Sequence, residues 1–165
     1  VIQGGLILNK KIFIKKNIKS ITIEFPEPWF RVSKFHVPKN STEARFSLSY
    51  CLATSLVNGK FDLSSLNIFK NKKSLKMTKK IKLVTYKVPN NFEDYDPRYP
   101  DKIKVIMNDG SKLIEKISHI KGGKSKPLKD NDIDNKFLMC GGKENILIKI
   151  RNEKYKKKSL NEIIF

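Results

Sequence analysis

The sequence has few of the residues on which metal sites and disulfide frameworks depend. It contains two cysteines and two histidines in 165 residues. Cys51 and Cys140 form no CxxC pair, and His36 and His119 stand at no metal-ligand spacing such as HxxxH. This pattern excludes a zinc-finger type of site and a disulfide scaffold. Both cysteines fall on or beside apolar runs, so we expect reduced, buried thiols in a cytoplasmic protein.

Long apolar runs and a signal peptide are also missing. No apolar stretch approaches the roughly 20 residues that a membrane-spanning helix needs. The opening VIQGGLILNKKIFIKK carries its charges after the apolar part, the reverse of a secretory signal peptide. We therefore expect a cytoplasmic protein with no membrane partner. Because position 1 is valine, we also expect the chain to be a fragment of a longer protein.

Arginine is scarce, whereas lysine is abundant. The net charge is +19, although the only arginines are Arg31, Arg45, Arg98 and Arg151. Such a charge is typical of proteins that bind nucleic acid, anionic membranes or acidic small molecules. The accompanying excess of isoleucine and asparagine favours instead the composition of an AT-rich genome, with lysines on a solvated surface. A continuous lysine stripe would favour a nucleic-acid-binding module, and scattered lysines would not.

The longest segment that is almost free of lysine runs from Asn40 to Phe61. Its apolar side chains recur at three- and four-residue steps, which predicts one amphipathic helix as the spine of the core. Asn40 or Ser41 is the predicted N-cap, and Gly59 the predicted left-handed stop. Arg45, Ser47 and Tyr50 are predicted on or near the other faces of this helix.

The other segments predict an α+β fold, an antiparallel sheet packed with helices. Alternating apolar residues predict strands at 20–25 and 80–88, and a hairpin of 102–107 and 112–120 about the turn Asn108-Asp109-Gly110. Helices are predicted at 2–8, 62–69 and 70–78, from Asp130, and in the tail from 144, with a final capping box at 159–162. We expect an α+β domain over 1–140 and a helical tail over 141–165.

Two short motifs have competing explanations. Gly123-Lys124-Ser125 resembles part of a P-loop, but Ser118 stands where the first glycine is required and Pro127 opposes the following helix. The aromatic and basic residues of 29–36 could stack bases, or they could pack onto the sheet, which we favour. Each histidine is read as structural or solvated, with a general acid or base role as the alternative.

Three ordered stretches carry a family resemblance: EARFSLSY at 43–50, DPRYP at 96–100 with NDG at 108–110, and KG at 121–122 with PL at 127–128 and DNKF at 134–137. In this order they resemble the C-terminal domain of the MmgE/PrpD family of dehydratases, decarboxylases and epimerases. The resemblance implies a small α+β lid domain beside a helical domain, no metal or organic cofactor, and a small di- or tricarboxylate substrate.

The resemblance also suggests roles for three residues. Arg45 could bind a substrate carboxylate bidentately, and His36 is a second candidate for substrate binding. Tyr50 could donate a hydrogen bond or a proton in catalysis, with an equally weighted alternative role in the core or at a hinge. The chemistry builds negative charge beside a carboxylate, which fixed cations and donors in a dry cleft would stabilise.

The sequence departs from the family pattern in ways that limit these expectations. The helical domain, with most of the family's catalytic positions, is not in this sequence, and Gly123 stands where several members carry histidine. We therefore expect the chain alone to be inactive, and to work with a helical domain in cis or on a separate chain, in a homo-oligomer. A nucleic-acid-binding module and a structural remnant of the family are the alternatives.

Overall fold

A computed structural model of the protein describes residues 1–93 and 96–152. Its contacts divide the chain into two compact units, Val1–Lys126 and Pro127–Phe165. This division falls earlier in the chain than the domain boundary that we expect after residue 140. The predicted capping box at 159–162 lies outside the described residues.

The first unit contains a four-stranded mixed sheet with the strand order β2-β1-β3-β4. The strands are β1 Ile18–Pro26, β2 Ile81–Tyr86, β3 Asp101–Met107 and β4 Lys112–Ile117. The α+β prediction is therefore confirmed. The all-antiparallel arrangement is wrong for one pair, because β1 and β2 run parallel. A parallel pair requires a crossover connection, and the helical segment between these strands provides it.

Four α-helices belong to the first unit: α1 Ile2–Lys11, α2 Ser41–Arg45, α3 Leu48–Asn58 and α4 Lys72–Thr78. Short 3-10 turns occupy Lys15–Asn17, Glu27–Arg31 and Leu63–Leu66. The described part of the second unit forms α5 Asp130–Met139 and α6 Glu144–Arg151. No helix within 1–93 and 96–152 combines the length and apolar character needed to cross a membrane.

The single helix predicted from Asn40 is two helices. Asn40 caps the first, as predicted, by accepting from the Glu43 amide at 2.9 Å. The side chain of Ser47 then accepts from the Tyr50 amide at 3.1 Å, which makes Ser47 the N-cap of α3. The helical path is therefore interrupted at Phe46. The end is as predicted, because Gly59 adopts a left-handed φ of 69°.

The main core lies between one face of the sheet and the helices α1 and α3. Of the alternating residues predicted to point inward, Ile21, Ile23, Ile103 and Val105 are buried, and Met107 is partly buried. Cys51 is buried as predicted, but Cys140 is exposed and the prediction is wrong there. Cys140 is the C-terminal cap of α5, a helix that fully buries none of its residues, so no core encloses its thiol.

Candidate functional site

The first unit holds a cleft of about 370 Å³ at one end of the sheet. It is bordered by the start of α1, the end of β1, the turn after β1, the α2–α3 junction and the segments that flank β3 and β4. Its walls are largely apolar, with Phe25, Trp29 and Leu48 among the lining side chains. Phe92 and Tyr99 meet edge to face on another side, with ring centroids 5.7 Å apart. A cleft of this size suits a small molecule.

Arg45 is the only lysine or arginine among the described residues that line this cleft. It is the last residue of α2, and the interruption at Phe46 leaves it at an exposed helix end. Within 1–93 and 96–152 its guanidinium makes no ion pair or hydrogen bond. A free guanidinium fork beside apolar walls is suited to a carboxylate, which it can bind through two parallel hydrogen bonds.

Of the two aspartates that line the cleft, Asp96 and Asp101, the first is already occupied. Arg98 clamps Asp96, with Nη2 at 2.6 Å from Oδ2 and Nε at 3.0 Å from Oδ1. These hydrogen bonds from Arg98 hold the pKa of Asp96 below its usual range, so the carboxylate stays charged. Neither aspartate contacts Arg45, and the cation therefore remains available to an anion.

Tyr50 lies away from the cleft lining, in a second apolar cluster with Ala44 and Ile68. Its side chain is fully buried, and its hydroxyl donates to the backbone carbonyl of Ser65 at 2.8 Å. Burial raises the pKa of Tyr50, which keeps the hydroxyl protonated. These contacts agree with a role in the core, and a catalytic role for Tyr50 stays a prediction.

His36 lies on the exposed loop before α2 and does not line the cleft. Its backbone carbonyl accepts from Ser47 Oγ at 3.0 Å and from Ser49 Oγ at 2.5 Å, and its ring Nδ1 lies 3.2 Å from Ser49 Oγ. The two serines thus fix the loop to the start of α3. Of the three candidate residues, the structure brings only Arg45 to the cleft, and substrate binding by His36 stays a prediction.

Two comparisons with known proteins bear on this site. The sequence model of the MmgE/PrpD C-terminal domain matches residues 4–144. The chain belongs to the MmgE/PrpD family. It is also 28% identical over 130 residues to cis-aconitate decarboxylase from Mus musculus. That match covers 78% of this chain and 26% of the decarboxylase, so the chain spans about a quarter of the length of this curated relative.

The MmgE/PrpD match covers nearly all of the described cleft, Arg45 included. It also covers the loop after β4, where His119 Nδ1 lies 2.9 Å from Ser125 Oγ. In this loop the Gly122 amide donates to the Lys126 carbonyl at 2.8 Å, so the backbone closes on itself and does not cradle a phosphate. Within the described part of the chain, no three His, Cys, Asp or Glu side chains are grouped so as to hold a metal ion.

Sequence reasoning missed part of the cleft. Asp96 and Asp101 flank a proline-bounded loop without periodicity, which gave no indication that it borders a cavity. The motif DPRYP was used only as part of the family resemblance. The clamp of Asp96 by Arg98 could have been suspected from their two-residue separation. Cys51 was correctly predicted to be buried. Its position beside the cleft depends on the crossing of α1 and α3.

Proposed function

We propose that this chain is the smaller, substrate-closing domain of a cofactor-independent MmgE/PrpD-family enzyme that acts on a small di- or tricarboxylate. The reaction class is dehydration, decarboxylation or epimerisation next to a carboxylate. The observation that carries the proposal is the position of Arg45, whose guanidinium has no partner among the described residues and lies at an apolar cleft. The family match and the similarity to a decarboxylase whose name includes cis-aconitate support the substrate class.

In this proposal Arg45 binds one carboxylate of the substrate, while the apolar walls exclude water. Exclusion of water strengthens the attraction between the guanidinium and the charge that develops on the substrate. The proton transfers are assigned to groups of a helical domain, because the family resemblance places most of the catalytic positions there. A homo-oligomeric assembly and a cytoplasmic location are further parts of the proposal, and the location rests on the cysteine and signal-peptide expectations given above.

The test is an activity assay of this chain alone, of a helical MmgE/PrpD domain alone, and of the two combined or joined in one polypeptide. Cis-aconitate, 2-methylcitrate and iminodisuccinate are offered separately, and products are followed by liquid chromatography with mass spectrometry. We expect turnover of one acid only when both domains are present. The proposal would be overturned if neither the mixed domains nor the joined protein turned over any of the three acids, although the joined protein is folded and oligomeric.

A further inference from the structure

Within the described residues of the first unit, the sheet has one open face, opposite the face that α1 and α3 cover. The register places the side chains of alternate residues there: Thr22 and Glu24 from β1 beside Lys82 and Val84 from β2, and Lys102 and Lys104 from β3 beside Lys116 and Ile114 from β4. Lys112 also lies on this face, opposite Ile106. Among the described strand residues, this face thus carries five lysines and one carboxylate, Glu24.

The lysines of this face repel one another. Lys102 and Lys116 are directly opposed on neighbouring strands, and like charges in that position destabilise a sheet. Glu24 relieves only one of them, at 3.9 Å from Lys102 Nζ. The lysines of α4, by contrast, lie on a single helix, where Lys72 and Lys76 are one turn apart. An anionic polymer would neutralise this unbalanced positive charge on a rigid sheet.

We propose that the open face of the sheet binds the sugar–phosphate backbone of RNA or DNA, without reading the bases. Neighbouring strands lie roughly 4.8 Å apart and alternate residues roughly 7 Å apart, so the ammonium groups form a two-dimensional array of point charges. Lysine suits phosphate contacts of this kind, whereas planar carboxylates are better matched by arginine, which this face lacks.

The other side chains of the face explain why the bases are not read. Its one aromatic residue, Tyr86, is half-buried: its hydroxyl donates to the Pro100 carbonyl at 2.8 Å, and Lys102 Nζ lies 5.8 Å from the ring centroid. Base stacking needs an open ring. Ile114 is 66% exposed and offers apolar contact to a sugar. This function goes beyond the enzymatic proposal and does not depend on it.

The test is fluorescence anisotropy of a labelled single strand of about 16 nucleotides with the full chain, at about 50 to 200 mM salt. The sheet variant K82Q/K104Q/K112Q is compared with the control variant K72Q/K73Q/K76Q, which removes the same charge from α4. We expect the sheet variant to bind about tenfold more weakly or worse, with a salt slope lower by about 2 for a single strand. The control should stay within about threefold of the unmodified chain.

Three outcomes would overturn the proposal. Equal losses in the two triple variants would mean that net charge alone governs binding. No binding at the lowest salt would remove the function, and tighter binding to poly-glutamate or to anionic lipid vesicles would assign the face to another partner.

The variant K82R/K104R/K112R should restore binding, and circular dichroism verifies folding. If the triple glutamine variant does not fold, K104Q and K112Q singly carry the test, each lowering the slope by about 0.7.

Discussion

The hydroxyl of Tyr50 donates to the backbone carbonyl of Ser65 at 2.8 Å, with the tyrosine side chain fully enclosed. This bond joins α3 to the 3-10 turn Leu63–Leu66, which Asp62 caps by accepting from the Ser65 amide at 3.0 Å. A hydroxyl that is buried and engaged in this way cannot reach a substrate in the cleft without breaking the bond. The geometry therefore favours the core role over the catalytic one.

The substitution Tyr50→Phe separates these two roles. We expect it to lower the free energy of unfolding by about 1 kcal/mol, the usual net value of one buried hydrogen bond, because Ser65 loses its donor. Urea denaturation measures the change. Tyr86→Phe is the matched control, since it also removes a hydroxyl that donates to a backbone carbonyl at 2.8 Å.

The activity of the same variant completes the comparison. In the two-domain enzyme proposed above, a core role leaves kcat of Tyr50→Phe within about threefold of the unmodified enzyme. A fall in kcat of about 100-fold with unchanged stability would instead identify Tyr50 as a proton donor, since general acid catalysis contributes about that much or more.

Arg45→Ala tests the carboxylate site. Loss of a charge-assisted hydrogen bond of about 1.5 to 3 kcal/mol predicts a rise in KM of roughly 10- to 100-fold in the two-domain enzyme. Arg45→Lys should recover only part of the loss, because an ammonium cannot form the bidentate contact. Steady-state kinetics with the preferred acid measures both variants.

Arg31→Ala is the control for this series, because it removes the same charge from an exposed residue outside the cleft lining. We expect its KM to stay close to that of the unmodified enzyme. Equal increases in KM for the Arg31 and Arg45 variants would show that general electrostatic attraction, and not the cleft, accounts for the effect.

Gly5 determines how closely α1 approaches α3. A Cβ atom at this position would lie 2.6 Å from Ser55 Cβ and 2.9 Å from the Leu52 carbonyl oxygen. Gly5→Ala must therefore separate the two helices. We expect a loss of about 2 kcal/mol in stability, since overpacking of this kind outweighs the higher helix propensity of alanine.

Gly4→Ala is the comparison, because the atom nearest to its added Cβ is the terminal methyl of Ile103, which can rotate. Its cost should be clearly smaller, and thermal unfolding of the two variants ranks them. If Gly4→Ala proved the more damaging, the tight contact between the helix backbones would not be the limiting one.

Local patterns predicted much of this fold, whereas long-range geometry could not be predicted. The alternation of Ile21 with Ile23 and of Ile103 with Val105 depends only on neighbouring residues, and both pairs are buried as expected. The parallel pairing of β1 with β2 depends on the path of the crossover between them, which no local pattern encodes. The interruption at Phe46 was hidden because the apolar period continues through it.

The candidate site shows the same limit. Arg45 was identified through the family resemblance, and its position at the cleft agrees with that expectation. The clamp on Asp96, which lines the same cleft, comes from Arg98, about 50 residues away along the chain, and the sequence around Arg45 does not encode it. Tyr50 belongs to the same motif, but it lies in α3, which Ser47 caps, and its side chain enters the core and not the cleft.

The two cysteines should differ sharply in reactivity. Burial raises the pKa of the Cys51 thiol to about 11, so at neutral pH it is protonated as well as enclosed, while Cys140 is exposed. We expect Ellman's reagent to modify one thiol rapidly and one slowly in the native chain at neutral pH. Cys140→Ser should remove the rapid phase and Cys51→Ser the slow one, and in denaturant both thiols should react at similar rates. Raising the pH toward 11 should accelerate the slow phase, because the thiolate is the reactive form and its fraction rises to one half at the pKa. Rapid modification of Cys51 in the native chain would show that the cleft admits the reagent to the core.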